Sequence, residues 1–346
     1  MIPRLRGGGP AFEACAQTDY TSAAATATTG DIMDSTSKFL FFIALPVVVL
    51  CSLVEALVLA RGHGYDWKAA GVSFFDLFTR TIAQELIPWS IAAPFIAYAA
   101  AHRLTTIPLT TWQAIALLFL GQEFCYYWYH RSAHRMRWFW ANHSVHHSPN
   151  ELNLTAAVRI GPFGKLFGRA LFYLPLVWLG FDARVVALTV TLNLLYQFWI
   201  HATWIPRLGW LEYVLNTPSA HRVHHAANLE YLDANYGGVL IIFDRLFGTY
   251  VAERADLPCR YGLVHPMTSY NPLRIEFAQT IALARDLVRA RSLRAVAGYL
   301  FLPPGWSPDG PGDTTEELRR RAGETAADLL ASASDLRART RTSMLR

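Results

Sequence analysis

Histidine is concentrated in one part of this 346-residue chain. Nine of its 12 histidines lie between residues 130 and 225, and eight of these form three closely spaced motifs. The motifs are His130-Arg-Ser-Ala-His134, His143-Ser-Val-His146-His147 and His221-Arg-Val-His224-His225, and the ninth histidine is His201. Because helix positions i, i+3 and i+4 share one face, each motif is expected to place two or three imidazoles side by side.

This spacing is typical of a metal site. Neutral imidazole binds Zn, Fe, Cu or Ni, and nine rings suit about two metal ions with four or five ligands each, leaving positions open for oxygen or water. The alternative is a metal-free cluster that is solvated or responds to pH, but it would leave many ring nitrogens without partners. The predicted ligands are His130, His134, His143, His146, His147, His201, His221, His224 and His225, and the predicted bystanders are His63, His102 and His265.

Four further residues are candidates for catalytic or orienting roles. Glu123 lies seven residues before His130, on the same helix face and inside an apolar segment, where an acidic group suggests function. A hydrogen bond between helices is the alternative for this carboxylate. Asn142, Asn216 and Asn235 lie beside the motifs or follow them, and could orient imidazole N–H groups, which metal sites usually require.

The elements that position these residues are predicted to lie in a lipid environment. Charged residues make up only 16% of the chain, against about 25% in ordinary soluble proteins, while 53% are hydrophobic. The 31 basic and 26 acidic residues give a net charge of +5, which is no nucleic-acid signature by itself. The four cysteines show no CxxC pairing, so we expect neither a disulfide framework nor a thiolate metal site.

The apolar segments predict an all-α fold, a polytopic membrane bundle of about four to five membrane helices or half-helices. These segments are 39–60, 81–101, 112–129 and a hairpin over 166–201. Basic residues in the loops 61–80 and 130–169 place both loops, and with them a histidine-rich helical cap, on the cytoplasmic side. The stretch 274–294 is basic and amphipathic, which suits a membrane surface.

The predicted domain boundaries follow composition. Residues 1–38 read as a mobile N-terminal tail, 39–311 as the membrane domain, and 312–346 as a polar C-terminal tail.

The three motifs on a small membrane bundle resemble the histidine boxes of the fatty acid hydroxylase/sterol desaturase superfamily of membrane di-iron oxygenases. The gap of eight residues between the first two boxes is similar to its hydroxylase and sterol-desaturase branch. The flanks Trp140-Ala-Asn-His143, Tyr196-Gln-Phe-Trp-Ile-His201 and Asp244-Arg-Leu-Phe-Gly-Thr249 further resemble members that act beside an ether oxygen. This chain differs from the family pattern at Ala220, where the third box often begins with another histidine. Because of this difference, the resemblance does not identify the substrate.

The resemblance implies a monooxygenase that uses two iron ions and O2 to hydroxylate a lipid C–H bond, with ether-lipid cleavage as one outcome. Hydroxylation or desaturation of a sterol, hopanoid, carotenoid or fatty acyl chain is the alternative within the enzyme class. A histidine-rich membrane metal transporter or sensor is the alternative from another class. The chain has no GxGxxG, P-loop or GxSxG motif. Electrons are therefore expected from tetrahydropterin, which the resemblance implies, or from a separate electron-donor protein.

Overall fold

The computed structural model describes residues 38–62, 64–87 and 90–325. Within these ranges the regular structure is helical, without strands and with two isolated bridges, which confirms the predicted all-α class. The main helices are α1 Leu45–Gly62, α2 Trp67–Leu86, α3 Ala93–Ala101, α4 Trp112–Arg135, α5 Arg137–His146, α6 Leu154–Ala157, α7 Gly164–Phe167, α8 Leu174–Leu179, α9 Ala183–Trp199, α10 Pro218–His224, α11 Ile242–Leu246, α12 Pro272–Arg289 and α13 Leu293–Phe301.

Helix α1 is long and apolar enough to cross a membrane. With part of the π-helical turn before it, it forms a segment of 21 residues, Phe42–Gly62, which suits a hydrocarbon core of about 30 Å. Its side chains Leu50, Leu57 and Val58 are all more than half exposed, as expected of a helix that contacts lipid. No other helix in the described ranges meets the same criteria of length and composition, so the polytopic arrangement stays a prediction.

The predicted apolar segment 81–101 is divided between two helices. Helix α2 begins at Trp67, well before this segment, and Asp66 is its cap residue. It ends at Leu86, and α3 begins only at Ala93. Pro94 lies in the first turn of α3, where the missing N–H has no helical partner to lose. Inside a continuous helix the same residue would remove a hydrogen bond and clash with the preceding turn.

Helix α4 carries the first histidine motif at its C-terminal end. The Thr111 hydroxyl accepts a hydrogen bond from the Ala114 N–H at 3.3 Å and caps the helix, which runs for 24 residues to Arg135. The predicted segment 112–129 is therefore one continuous helix, and it extends further through His130 and His134.

The predicted hairpin is present, with a first arm divided between a 3-10 turn, Arg169–Tyr173, and the short helix α8. Gly180 forms its turn at φ 131°, and a Cβ atom there would lie 2.4 Å from the Thr105 carbonyl oxygen. Asp182 then caps α9 by accepting the Arg184 N–H at 2.8 Å. Helix α9 leads the chain back toward the cap, where His201 follows its last turn.

Helices α12 and α13 pack against α5 in the cap, and α10 brings the third motif to the same two clusters as α5. An ion pair of 2.5 Å between Arg137 and Asp286 joins α5 to α12. Arg319 donates to the carbonyl oxygens of Leu229 and Leu232, at 2.8 and 2.9 Å. The first part of the predicted C-terminal tail thus contacts the cap, whereas residues 1–37 and 326–346 of the two predicted tails lie outside the described residues.

Candidate metal centre

The histidine motifs lie at helix ends, where several imidazoles can turn toward one point. His130 and His134 occupy the last two turns of α4. Helix α5 ends at His146 with His147 as its cap residue, and α10 ends in the same way at His224 and His225.

The structure brings all nine predicted histidines together as two buried clusters. In each cluster, one potential ligand atom per residue lies within 4.8 Å of the others. The first cluster is His130, His134, His143, His147 and His224, and the second is His146, His201, His221 and His225. The second and third motifs each divide their rings, since the i, i+4 pair enters one cluster and the i+3 ring enters the other.

Backbone carbonyl groups fix the orientation of four of these rings. The Nδ1–H groups of His130 and His224 donate to the carbonyl oxygens of Tyr236 and Ala234, both at 2.9 Å. Those of His146 and His201 donate to the Arg159 and Gln197 carbonyl oxygens, both at 2.8 Å. Because a neutral imidazole carries one proton, each Nε2 atom is left with an unprotonated lone pair. This is the form of histidine that binds a metal ion.

The second cluster contains a contact that a metal ion would explain. The Nε2 atoms of His146 and His201 face each other at 3.4 Å, although both rings carry their proton on Nδ1. Two lone pairs cannot form a hydrogen bond. Protonation is not available at neutral pH, because burial lowers the pKa of His146 to about 4 and that of His201 to about 3. A cation bound to both nitrogens would remove the repulsion, so the residues fit a metal site.

The first cluster leads to the same conclusion. The Nε2 atom of His143 lies 3.1 Å from that of His130 and 3.2 Å from that of His147. One nitrogen cannot satisfy two such contacts as a single donor. The Nε2 atoms of His134 and His224 are buried and have no hydrogen-bond partner. Unpartnered buried nitrogen is unfavourable unless an ion binds it, and neutral imidazoles suit iron and other transition metals.

Asp233 contacts the cluster and was not among the predicted site residues. Its carboxylate lies 3.7 Å from Nδ1 of His134 and 2.7 Å from the Arg135 guanidinium. Burial opposes ionisation of Asp233, but the contacts with His134 and Arg135 outweigh it and lower the pKa of this carboxyl to about 2. In the sequence, Asp233 is recognisable only as an acidic residue shortly after the third motif, and this is a weak indication of a site residue.

Glu123 connects helices rather than contacting a histidine ring. One carboxylate oxygen accepts the backbone N–H groups of Val239 and Leu240, both at 2.8 Å, and the other accepts the Asn193 amide of α9. Of the two interpretations of this residue, the contacts favour the structural hydrogen bond.

The three predicted asparagines contact backbone groups instead of orienting imidazoles. Asn142 donates to the Ile160 carbonyl oxygen at 3.5 Å, and Asn216 to that of Gly237 at 2.7 Å. Asn235, with a left-handed φ of 58°, donates to the carbonyl oxygens of Ala220 and Val251. Carbonyl groups orient the rings in their place, so the asparagines hold the loops that carry those carbonyls.

A cavity of about 390 Å³ reaches the first cluster. His134, His147 and His224 line it, together with Trp140, Trp306 and the segment 303–305, and no histidine of the second cluster is among its walls. His265, predicted to be a bystander, also lines this cavity. His102 is exposed and lies 2.9 Å from the Tyr98 carbonyl oxygen, and His63 lies outside the described residues.

Comparison with known proteins identifies the family. Residues 115–249, which contain all nine histidines, match the family model for fatty acid hydroxylase. The chain is 40% identical to alkylglycerol monooxygenase of Xenopus tropicalis over 224 residues, which are 64% of this chain and 49% of the relative. Identity to the Homo sapiens alkylglycerol monooxygenase is also 40%, over 61% of this chain and 46% of the relative. A candidate methylsterol monooxygenase of Dictyostelium discoideum is 31% identical, over 53% of this chain and 68% of the relative.

The chain therefore belongs to the fatty acid hydroxylase/sterol desaturase superfamily. The two alkylglycerol monooxygenases confirm the predicted resemblance of the flanking segments to one group within this superfamily. The chain spans about half the length of these curated relatives. No solved structure matches it.

Proposed function

We propose that the protein is a membrane-bound, non-haem di-iron monooxygenase that hydroxylates a C–H bond of a lipid. The observation that carries the proposal is the pair of buried histidine clusters. In the second cluster two unprotonated Nε2 atoms face each other, and in the first cluster two buried Nε2 atoms have no hydrogen-bond partner. Membership of the fatty acid hydroxylase family supports iron over the other metals that imidazole binds.

The chain's own residues bind, orient and protect the metals. Each cluster would hold one iron ion, and the bound irons supply the oxidising power needed to insert an oxygen atom from O2 into a C–H bond. Backbone carbonyls and Asp233 hold the rings in the form that binds metal. Burial of all nine rings limits the access of water, so oxidising equivalents are directed to the substrate.

A lipid substrate is supported by the exposed apolar surface. Besides α1, the first turns of α4 expose Trp112, Ile115 and Leu117, each by more than half. Large exposed apolar surfaces mark sites that contact a membrane or a partner. We propose that these helices lie in the bilayer and that the metal clusters face the cytoplasm.

For the substrate class we propose an ether lipid, because of the similarity to alkylglycerol monooxygenases. Hydroxylation of the carbon beside the ether oxygen takes one atom of O2 into the product and releases the other as water, using two electrons and two protons. The resulting hemiacetal breaks its C–O bond to give an aldehyde and an alcohol. The electrons come from outside the chain, from tetrahydropterin or a separate donor protein.

A second candidate is oxidation of a sterol or related lipid, supported by the similarity to the Dictyostelium discoideum relative. A metal transporter is less compatible, because a transport path needs ligands near mid-membrane. Here the histidines gather at the ends of α4 and α9 and in short cap helices.

The proposal is tested by lipid profiling of cells with and without the protein, together with metal analysis. We expect a precursor and a product that differ by one oxygen atom, or the aldehyde and alcohol from cleavage. His146→Ala and His224→Ala should abolish turnover and release most of the iron, whereas His102→Ala should change neither. One tightly bound zinc under iron-replete conditions, or normal turnover in either cluster variant, would refute the assignment.

A further inference from the structure

Helix α12 exposes a surface that is part apolar and part basic. Its inner side buries Ile275 and Leu283. On its outer side the exposed apolar residues are Leu273, Ile281 and Val288, and the exposed basic residues are Arg274, Arg285 and Arg289. At roughly 100° per residue, the apolar positions fall within an arc of about 80° and the arginines within the adjoining arc of about 60°. A helix divided in this way suits the plane between water and lipid.

The apolar row continues around the turn from α12 to α13. Val288 near the end of α12 and Leu293 at the start of α13 are each 87% exposed. Both side chains are therefore in contact with water unless another surface covers them. Covering them would be favourable, because burial of apolar surface lowers the free energy.

Arginines line a cavity of about 730 Å³ at the same turn. Arg289, Arg291 and Arg294 contribute to its walls, and no hydrogen bond or ion pair joins their guanidinium groups to another described residue. Two carboxylates also line this cavity, Asp286 and Asp309, and Asp286 is already paired with Arg137 at 2.5 Å, so the three arginines leave a net positive wall. Unpaired guanidinium groups bind phosphate oxygens in a bidentate manner. Ser292 caps α13 here, so the positive end of that helix adds to the field.

We propose that the turn between α12 and α13 docks on the surface of an anionic bilayer. Val288 and Leu293 would enter the boundary between headgroups and acyl chains, and Arg289, Arg291 and Arg294 would bind lipid phosphates. Asp286 and Trp306 line both this cavity and the one that reaches the first histidine cluster. Docking therefore places a lipid surface next to a route to the metals. The inference concerns binding and is independent of the oxygen chemistry proposed above.

The test uses the full chain, loaded with iron, in nanodiscs of phosphatidylcholine alone or mixed with phosphatidylglycerol. Hydrogen exchange is followed in peptides that cover residues 281–295. We expect exchange at least about tenfold slower in the anionic discs, since each surface arginine contributes about fivefold to binding. The variant R289Q/R291Q/R294Q should lose this difference, and V288S/L293S should exchange faster in both kinds of disc.

A charge-matched control is R254Q/R320Q/R321Q, which removes three exposed arginines that already pair with carboxylates. This control should keep the protection, and all variants should keep their iron, which separates the result from failure of the metal assignment. Equal exchange of the unmodified protein in both discs would overturn the proposal, and this comparison needs no variant. Equal loss of protection in the control would also overturn it. Protection by inorganic phosphate alone, without a bilayer, would assign the site to a soluble anion instead.

Discussion

The protonation state of single histidines determines what this site can bind. A carbonyl oxygen that accepts the Nδ1–H of a buried imidazole leaves Nε2 as an acceptor. At His146 and His201 this selection leaves two lone pairs facing each other, an arrangement that a bound cation would stabilise. The atoms that orient these rings belong to the backbone and are carbonyl oxygens.

His201 lies outside the three motifs, yet we expect it to bind metal as the motif histidines do. We expect His201→Ala to lower the iron content after anaerobic purification from about two ions per chain to about one, since the second cluster keeps only three rings. Metal analysis checks this outcome. His102→Ala removes an exposed ring as the matched control, and unchanged iron in the His201 variant would contradict the assignment.

Asp233 should act as a positioning residue for His134. We expect Asp233→Asn to weaken iron binding by about 10- to 100-fold, because the amide does not supply the negative charge beside Nδ1. Asparagine tolerates the left-handed φ of 57° at this position, so the backbone should be retained. Chelator competition measures the affinity. Asp256→Asn, which alters an exposed ion pair, should bind iron normally, and a similar affinity in both variants would argue against a role for Asp233.

Helices decide which imidazoles meet. The i, i+4 rings of the second motif enter the first cluster and those of the third motif enter the second, while each i+3 ring crosses to the other cluster. Two short helices that end beside each other can exchange rings in this way, because i+3 and i+4 positions point to slightly different sides. The HxxHH spacing therefore supplies rings to both clusters from each motif.

Glu123 should stabilise the contact between α4, α9 and the loop at 239–240. We expect Glu123→Ala to lower the free energy of unfolding by about 1–3 kcal/mol, because the buried Leu240 N–H and the half-buried Val239 N–H lose their acceptor. Thermal unfolding in detergent measures this loss. Glu123→Gln keeps one acceptor oxygen and should retain most of the turnover per bound iron. Complete loss of turnover in a stable, iron-loaded Gln variant would instead favour a catalytic role.

At the scale of the molecule, the histidine clusters lie at one end of the long helices and the loop 102–111 lies at the other. That loop packs on the hairpin turn, where the Leu104 and Ile107 N–H groups donate to the carbonyl oxygens of Trp178 and Gly180. His201 lies at the opposite end of α9 from this turn. The two ends are therefore expected on opposite sides of a membrane.

This orientation is testable by cysteine labelling in a background without the native cysteines. We expect Ala255→Cys, exposed on the cap, to react with a membrane-impermeant maleimide only after permeabilisation. Thr110→Cys, exposed in the loop 102–111, should react in intact cells. We expect this pattern because the segments 61–80 and 130–169, which are predicted to lie on the cap side, carry an excess of basic residues. The reverse pattern would invert the topology, and labelling of both sites from one side would refute a spanning arrangement between them.

The sequence by itself determined the helical class and the set of histidines that meet. Both depend on local features, since helix periodicity places i, i+3 and i+4 rings on one side and apolar length predicts a helix that suits lipid. The histidines at 130–134, 143–147 and 221–225 needed no tertiary information to be singled out.

Tertiary structure alone decided how the rings divide between clusters and what holds most of the imidazoles. The carbonyl oxygens of Tyr236, Arg159 and Ala234 orient histidines, but every residue has a carbonyl group, so the sequence carries no signal of that role. The asparagine side chains near the motifs are chemically suited to orienting imidazoles, but they hold the loops instead. The chemistry of this site depends on contacts between residues that are far apart in the sequence. The spacing of residues within a motif does not predict such contacts.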